Sequence, residues 1–333
     1  MIIQKSLNSH TWEVILIVVT ILALFSFSLY RIYNIDRYED FLDVGKLRSF
    51  LEHQFIEEIG LLRAATKVEP DAHRVYIASD NLLAAEALRT LKSPLAEIVE
   101  EGLKEFNGGF DGLHEVLLGY RIPDVFYCRK WVFVRSINTS SFGVIEVYYE
   151  RPDKSRINYM WFNYADLIVY CALNELLKGN VNEAKSLFVK LMNMWDGYGF
   201  RDNAFNGNYE TYKLALAVYL YRALLSTGVS EVKRYEGIIE RIKKILALMQ
   251  RSDGGIVTHY RVKDNEIIPI GDANTETTSI VIISLLSKKP AEIGERVCAL
   301  AETKEYNHIF MALVIVVIII AILLIATALF KTI

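Results

Sequence analysis

Two four-residue segments, Asn208-Tyr209-Glu210-Thr211 and Asn274-Thr275-Glu276-Thr277, constrain this chain more than any other feature. Each opens an apolar run, 214–225 in one copy and 280–286 in the other. Each also follows a glycine turn, Trp195-Asp196-Gly197-Tyr198-Gly199-Phe200 before the first and Ser252-Asp253-Gly254-Gly255-Ile256 before the second. A glycine turn, an acidic helix start and an apolar helix that recur together are the pattern of stacked helical hairpins. The same repeat brings polar and acidic side chains to equivalent helix N-termini, where a pocket can form.

Two apolar segments frame the chain. Segment 309–330 has Thr327 as its only polar residue; at about 1.5 Å per residue it reaches roughly 33 Å, enough to cross a bilayer. Segment 14–30 carries no charge and is flanked by Trp12, Tyr30 and Tyr33, residues suited to membrane interfaces. It reads as a retained anchor rather than a cleaved signal peptide, because Ser26-Phe27-Ser28-Leu29 offers no small-x-small cleavage site. The expected organisation is a tail (1–13), a transmembrane helix (14–30), one domain (31–308), a second transmembrane helix (309–330) and a tail (331–333), a two-pass protein of the cell membrane. Arg31, Arg37, Lys46 and Arg48 favour a cytoplasmic domain, but the charge rule weakens for so long a loop. Asn138-Thr139-Ser140 is an N-glycosylation sequon and favours the extracytoplasmic side, which is the expectation, with Asn138 as the acceptor.

A formal net charge of −3, with no polybasic arm, excludes nucleic acid as an expected partner. Cys128, Cys171 and Cys298 are widely spaced, with no Cys-x-x-Cys. They read as free thiols rather than a disulfide framework or a structural zinc site. No metal or other cofactor is expected.

Periodicity predicts a helix over 44–65, a second after Ser79-Asp80-Asn81, where Ser79 or Asp80 caps it, and a return helix over 96–106. Residues 125–150 alternate β-branched and aromatic positions around Asn138-Thr139-Ser140-Ser141 and predict an inserted β-hairpin. Beyond it, segments 163–177, 211–225 and 278–286 are apolar on nearly every side and read as inner helices. Segments 183–194 and 231–249 are amphipathic and read as outer ones, with extended loops between.

Met249-Gln250-Arg251-Ser252-Asp253-Gly254-Gly255-Ile256, followed by Asp272-Ala273-Asn274-Thr275-Glu276-Thr277-Thr278, resembles the repeat of α/α-toroid proteins. That superfamily includes terpenoid cyclases, protein prenyltransferase β-subunits and six-hairpin glycosidases, lyases and epimerases. The resemblance is strongest over 160–290. It implies a mainly α fold, an α/α-toroid (ring of helical hairpins) with an inserted β-hairpin, here flanked by two transmembrane helices. No Asp-x-Asp-Asp and no Cys, Asp and His zinc set occurs, so neither cyclase nor prenyltransferase chemistry carries over.

In such a ring the inner-helix starts line one mouth. Glu210, Glu276 and Asp166 are therefore the expected catalytic carboxylates, since glycoside hydrolysis needs one carboxyl as acid and another as base or nucleophile. Asn208, Asn274, Asp196, Asp253 and Asp272, with Trp195, Tyr198, Tyr209 and Tyr212, are the expected ligand contacts, because sugars stack on aromatic faces. His259 and His114 follow glycine turns and are candidate proton carriers. Against these stands helix-start chemistry: Asn caps and a first-turn Glu complements the helix dipole. The leading expectation is a domain that binds or acts on a glycan at the cell surface, with glycoside hydrolase, lyase or epimerase chemistry if it is an enzyme. The alternatives are a non-catalytic envelope scaffold and a toroid that binds an isoprenoid or other lipid.

Overall fold

The computed structural model describes residues 42–106 and 108–297. The chain divides into two compact units, 1–44 and 45–333; the architecture below is that of the second.

The predicted first helix is short. Helix α1 (Val44–Gln54) gives way to a small hairpin, β1 (Phe55–Ile56) with β2 (Leu61–Leu62), because Gly60 takes the left-handed backbone that helix cannot continue through. Strand β3 (Arg74–Tyr76) leads into a single π-helical turn, Ile77–Asn81. Neither Ser79 nor Asp80 caps the next helix, α2 (Leu82–Thr90); both are buried. Asn81 instead ties the turn to β2, accepting from Leu62 N at 2.6 Å and donating to Leu62 O at 2.9 Å and Tyr76 O at 2.8 Å. The return helix is α3 (Leu95–Glu105).

The inserted hairpin is longer than its sequence signature. Strand β4 (Tyr127–Thr139) and strand β5 (Gly143–Ile157) pair antiparallel past Pro152, and β3 adds to β5 in parallel, giving the order β3-β5-β4. Val75 faces Val147 across that parallel step, and both are fully buried.

Helices α4 (Ala165–Leu177) and α5 (Val181–Met192) form a hairpin, as do α6 (Thr211–Ser226) and α7 (Glu236–Leu248). Strand β6 (Tyr209–Glu210) precedes α6 and joins a second hairpin, β7 (Val257–Lys263) with β8 (Glu266–Ala273). Its two-residue turn, Asp264-Asn265, holds positive φ at both positions, as a turn matched to strand twist requires. Helix α8 (Thr275–Leu286) follows. Helices α4, α6, α8 and α2 pack on one another in that order, each inside a partner where one exists. Helix α6 is buried on almost every side, whereas α7 buries only Ile239, Ile242, Ile245 and Leu246, one stripe at helical spacing.

The two glycine turns share a geometry. Gly197 and Gly254 hold φ of +102° and +96°, and Asp196 and Asp253 each accept backbone N–H groups of the turn through Oδ1. A side chain at Gly254 would strike the Lys46 carbonyl.

Two expectations are corrected. The fold is not the expected mainly α ring of helical hairpins with one inserted β-hairpin: it is about 50% helical with 23% strand in mixed sheets. The segments read as extended loops satisfy their backbone groups by pairing, and the 125–150 signature understates its sheet. Nor is the two-pass organisation in the cell membrane, with an extracytoplasmic domain, upheld. Among the described residues no helix is long and apolar enough to cross a membrane. The longest, α6, has 16 residues, about 24 Å against the roughly 30 Å of a hydrocarbon core. The segments 14–30 and 309–330, on which the expectation rested, lie outside the described residues, as does Cys298. Cys128 and Cys171 are both free.

Candidate functional site

The starts of α6 and α8 repeat in sequence but not in function. Asn274 caps α8, its side chain accepting from Thr277 N at 2.8 Å. The first turn then aims Glu276 at His114, whose Nε2 lies 3.0 Å from Glu276 Oε1. At the other start Glu210 is ion-paired to Lys213 one turn on. Lys213 is buried and also reaches Asp202 at 2.6 Å, and Asp202 accepts from Ala165 N at 2.9 Å. Glu210 is thus part of a latch between helix starts. Asp166 accepts from the Tyr212 hydroxyl at 2.9 Å through Oδ2, while its buried Oδ1 has no partner.

His114 is the centre of a buried charged cluster. It begins a short 3₁₀ turn, His114–Leu118, and Asp111 caps that turn from Oδ1, accepting from Leu113 N and His114 N, each at 2.9 Å. Asp111 Oδ2 faces His114 Nδ1 at 2.8 Å and also receives Arg129. The imidazole, 3% exposed, therefore lies between two carboxylates, Asp111 on Nδ1 and Glu276 on Nε2, with the Tyr170 ring edge-on at 5.6 Å. Both ring nitrogens donate only in the imidazolium form. Burial and the nearby Arg129 oppose that charge, but Asp111 and Glu276 outweigh them and raise the pKa to about 9. Burial works against ionised Asp111 too, yet His114 and Arg129 hold its carboxyl well below the usual range. Glu115, which accepts from Gly112 N and Leu113 N, is pushed up to about 7 by burial and by Asp111.

Glu276 opens onto a polar cleft of about 200 Å³, lined also by Ser79, Asp80, Arg129, Trp131, Glu150 and Asn274. The strand period of two puts Arg129, Trp131 and Phe133 on one face of β4, opposite Pro152, Glu150 and Tyr148 of β5. Glu150 accepts from Ala78 N at 2.9 Å and from the Ser79 hydroxyl. Asp80 sits in the π-helical turn, with its Oδ1 hydrogen-bonded to Ser79 Oγ at 3.0 Å. Burial, and then the charges of Glu276 and Glu150, push Asp80 well above the carboxylate range. Burial raises Glu150 as well. Glu276 goes the other way: burial opposes its ionisation, and the His114 hydrogen bond and charge, with Arg129, overcome it. One cleft thus holds a carboxyl whose proton affinity is raised beside one whose proton affinity is lowered.

Arg129 also lines a neighbouring cleft of about 250 Å³ with Asp111, Tyr164 and Asp166. Among the described residues, Arg129 Nε and Asp166 Oδ1 of this lining, and the Tyr170 hydroxyl, are buried without a hydrogen-bond partner. Of the three expected carboxylates, Glu276 and Asp166 line these two adjoining clefts, and Glu210 lines neither.

The remaining expected contacts are mostly built into the scaffold. Asp196 accepts from Tyr198 N, Gly199 N, Arg201 and the Tyr209 hydroxyl. Tyr209 stacks on Tyr260 at 5.1 Å, and Trp195 packs edge-on against Phe200. The Tyr198 hydroxyl donates to Asn265, and Asn208 lies in the loop before β6. Asp253 pairs with Arg251 at 2.9 Å. Asp272 gathers Thr66 N, Thr66 Oγ1, Lys67 N and Val68 N, with Arg251 at 2.7 Å. His259 pairs with Glu210 between β7 and β6, its Nδ1 against Thr258 Oγ1. Asn138 is exposed in β4 near the hairpin turn.

Sequence reasoning missed Asp80, Asp111, Arg129 and Glu150. The hairpin alternation carried a signal for the last two, and Asp111-x-x-His114 one for the second, but neither says what it faces. Among the described residues no group of three or more His, Cys, Asp or Glu is placed to hold a metal ion. Compared with known proteins, the sequence matches no family model and no curated protein.

Proposed function

We propose that this chain binds a carbohydrate in the cleft between the start of α8, the Ile77–Asn81 turn and the β4–β5 pair, and cleaves a glycosidic bond there. The observation that carries the reading is the pair of carboxyls on one lining, Asp80 with its proton affinity raised by burial and Glu276 with its own lowered by His114, because separated proton affinities assign acid and base. The Trp131 and Tyr76 side chains on the same lining supply faces on which a sugar ring stacks. A volume of about 200 Å³ lies below the roughly 300 Å³ at which ligand pockets usually begin, so the cleft takes one ring or the end of a chain.

In the reaction, the Asp80 proton passes to the glycosidic oxygen as the bond to the ring carbon breaks. Glu276 stabilises the positive charge growing on that carbon and receives a proton from the entering water. His114 touches neither bond. It is a positioning residue: with Asp111 behind it, it holds Glu276 ionised and fixes its angle. Arg129 lies beside the cleft and orients a ring hydroxyl or acid group.

The test is turnover of p-nitrophenyl glycosides and of an oligosaccharide panel by wild type, Asp80→Asn and Glu276→Gln. Each substitution removes the carboxyl's role at nearly constant shape. The expected loss is at least about a hundredfold in kcat, the usual contribution of a general acid or base, with an unchanged circular dichroism spectrum. Full turnover by Asp80→Asn, or no glycan bound or cleaved by wild type, sinks the reading.

A further inference from the structure

We infer that the opposite face of the same strand pair is a second binding surface, for an anionic oligosaccharide bearing carboxylate or sulfate groups. The inference rests on the carbohydrate reading above.

Alternation along β4 turns Lys130 and Val132 away from the acid–base cleft, and along β5 it turns Tyr149 and Arg151 the same way. These four, with Phe110 and Lys154, line a groove of about 750 Å³, several times the volume of the cleft. Lys130 and Arg151 are direct partners across the strands. Like charges directly opposite in an antiparallel pair repel, and a bound anion placed between them would bridge both. None of Lys130, Arg151 and Lys154 pairs with a carboxylate within 4 Å among the described residues. Asp153 is the one acid of the lining; it accepts from the Ser155 hydroxyl at 2.7 Å and N–H at 3.2 Å, and the charge of Lys130 acts on it without a direct ion pair.

The aromatic floor argues for sugars. Arg151 lies over the Tyr149 ring at 4.6 Å, and Tyr149 is fixed by donating to Gly108 O at 2.8 Å. Phe110 is 55% exposed and braced by Tyr120 at 5.3 Å. Fixed rings flanked by cations match a sugar face and its acid substituent. The chain's net charge of −3 and three clustered cations fall short of the basic stripe that tracks a nucleic-acid backbone.

The experiment is calorimetric titration of the full chain with oligogalacturonate, a heparin-derived oligosaccharide and neutral malto-oligosaccharide, at low and high salt. The comparison is wild type against Lys130→Gln/Arg151→Gln and Glu276→Gln. The acidic oligosaccharides should bind in preference to the neutral one and weaken with salt. The double variant should lose at least about tenfold in affinity, since each charged contact is worth about one such factor. Its Tm should stay level or rise, because it removes a repulsion. Glu276→Gln alters the cleft only, so it should keep the salt-dependent preference for acidic over neutral oligosaccharides. Equal binding of the neutral sugar, undiminished binding by the double variant, or equally tight binding of an oligonucleotide or poly-glutamate overturns the inference. Loss of acidic-sugar binding in the double variant, with turnover indifferent to Asp80→Asn, would overturn the cleft reading and leave this surface standing.

Discussion

The pH dependence of stability should carry the signature of one side chain, His114. Its pKa is about 9 in the fold against an ordinary value of 6.5. At about 1.4 kcal/mol for each tenfold change in proton affinity, the difference amounts to ~3 kcal/mol. The sign follows from which state holds the proton. Above pH 6.5 the unfolded chain releases it while the folded chain keeps it, so this contribution is complete below 6.5 and drains away as pH rises through about 9. The groups that face the imidazole do not obscure the window. Asp111 lies far below it, Glu276 is lowered, and Arg129 and Tyr170 are raised beyond it. Glu115 titrates near 7, at the lower edge, and Asp80, raised well above the carboxylate range, adds a fall of the same sign, so the share of His114 between about 7 and 9 is the difference between wild type and a His114 variant. Urea unfolding of wild type across that interval should show the His114 contribution falling by about 2 kcal/mol. His114→Gln should be less stable at neutral pH and fall less steeply over the same range. A flat wild-type profile, or an undiminished slope in His114→Gln, would refute the claim that two carboxylates hold a buried imidazolium.

Two further perturbations separate scaffold from site. Asp272 accepts from three backbone N–H groups, a hydroxyl and a guanidinium; burial opposes its charge, and these donors overcome it to bring the pKa to about 2. Asp272→Asn should cost about 2–4 kcal/mol in chemical denaturation. Because a depressed acid contributes fully above its ordinary 3.8, that stability should fade in wild type as pH drops from about 4 towards 2. Glu210→Gln should lower stability by about 1–2 kcal/mol, since Lys213 keeps Asp202 as a partner. It should leave turnover unchanged; a collapse in kcat would restore Glu210 to the chemistry.

The sequence by itself determined the helical frame. Apolar periodicity marked α4 to α6 and α8 within a few residues, since burial on one stripe or on all sides leaves its own spacing along the chain. The duplicated Asp-Gly turns were legible because a left-handed position selects glycine locally. Glu276 was legible as the acid of a helix start, but its copy Glu210 was indistinguishable from it. What separates them is the neighbour each meets: His114, from a distant turn, or Lys213, one turn along the same helix. The second hairpin was missed although Asp264-Asn265 tolerates left-handed backbone, because residues 257–273 have no strict alternation to announce strands. Only the tertiary structure brought residues 80, 129, 131, 150 and 276 to one cleft, with Asp111 and His114 packed behind it. Proton affinity there is set by desolvation and by charges a few ångströms away, and both belong to the folded arrangement rather than to any local stretch of chain.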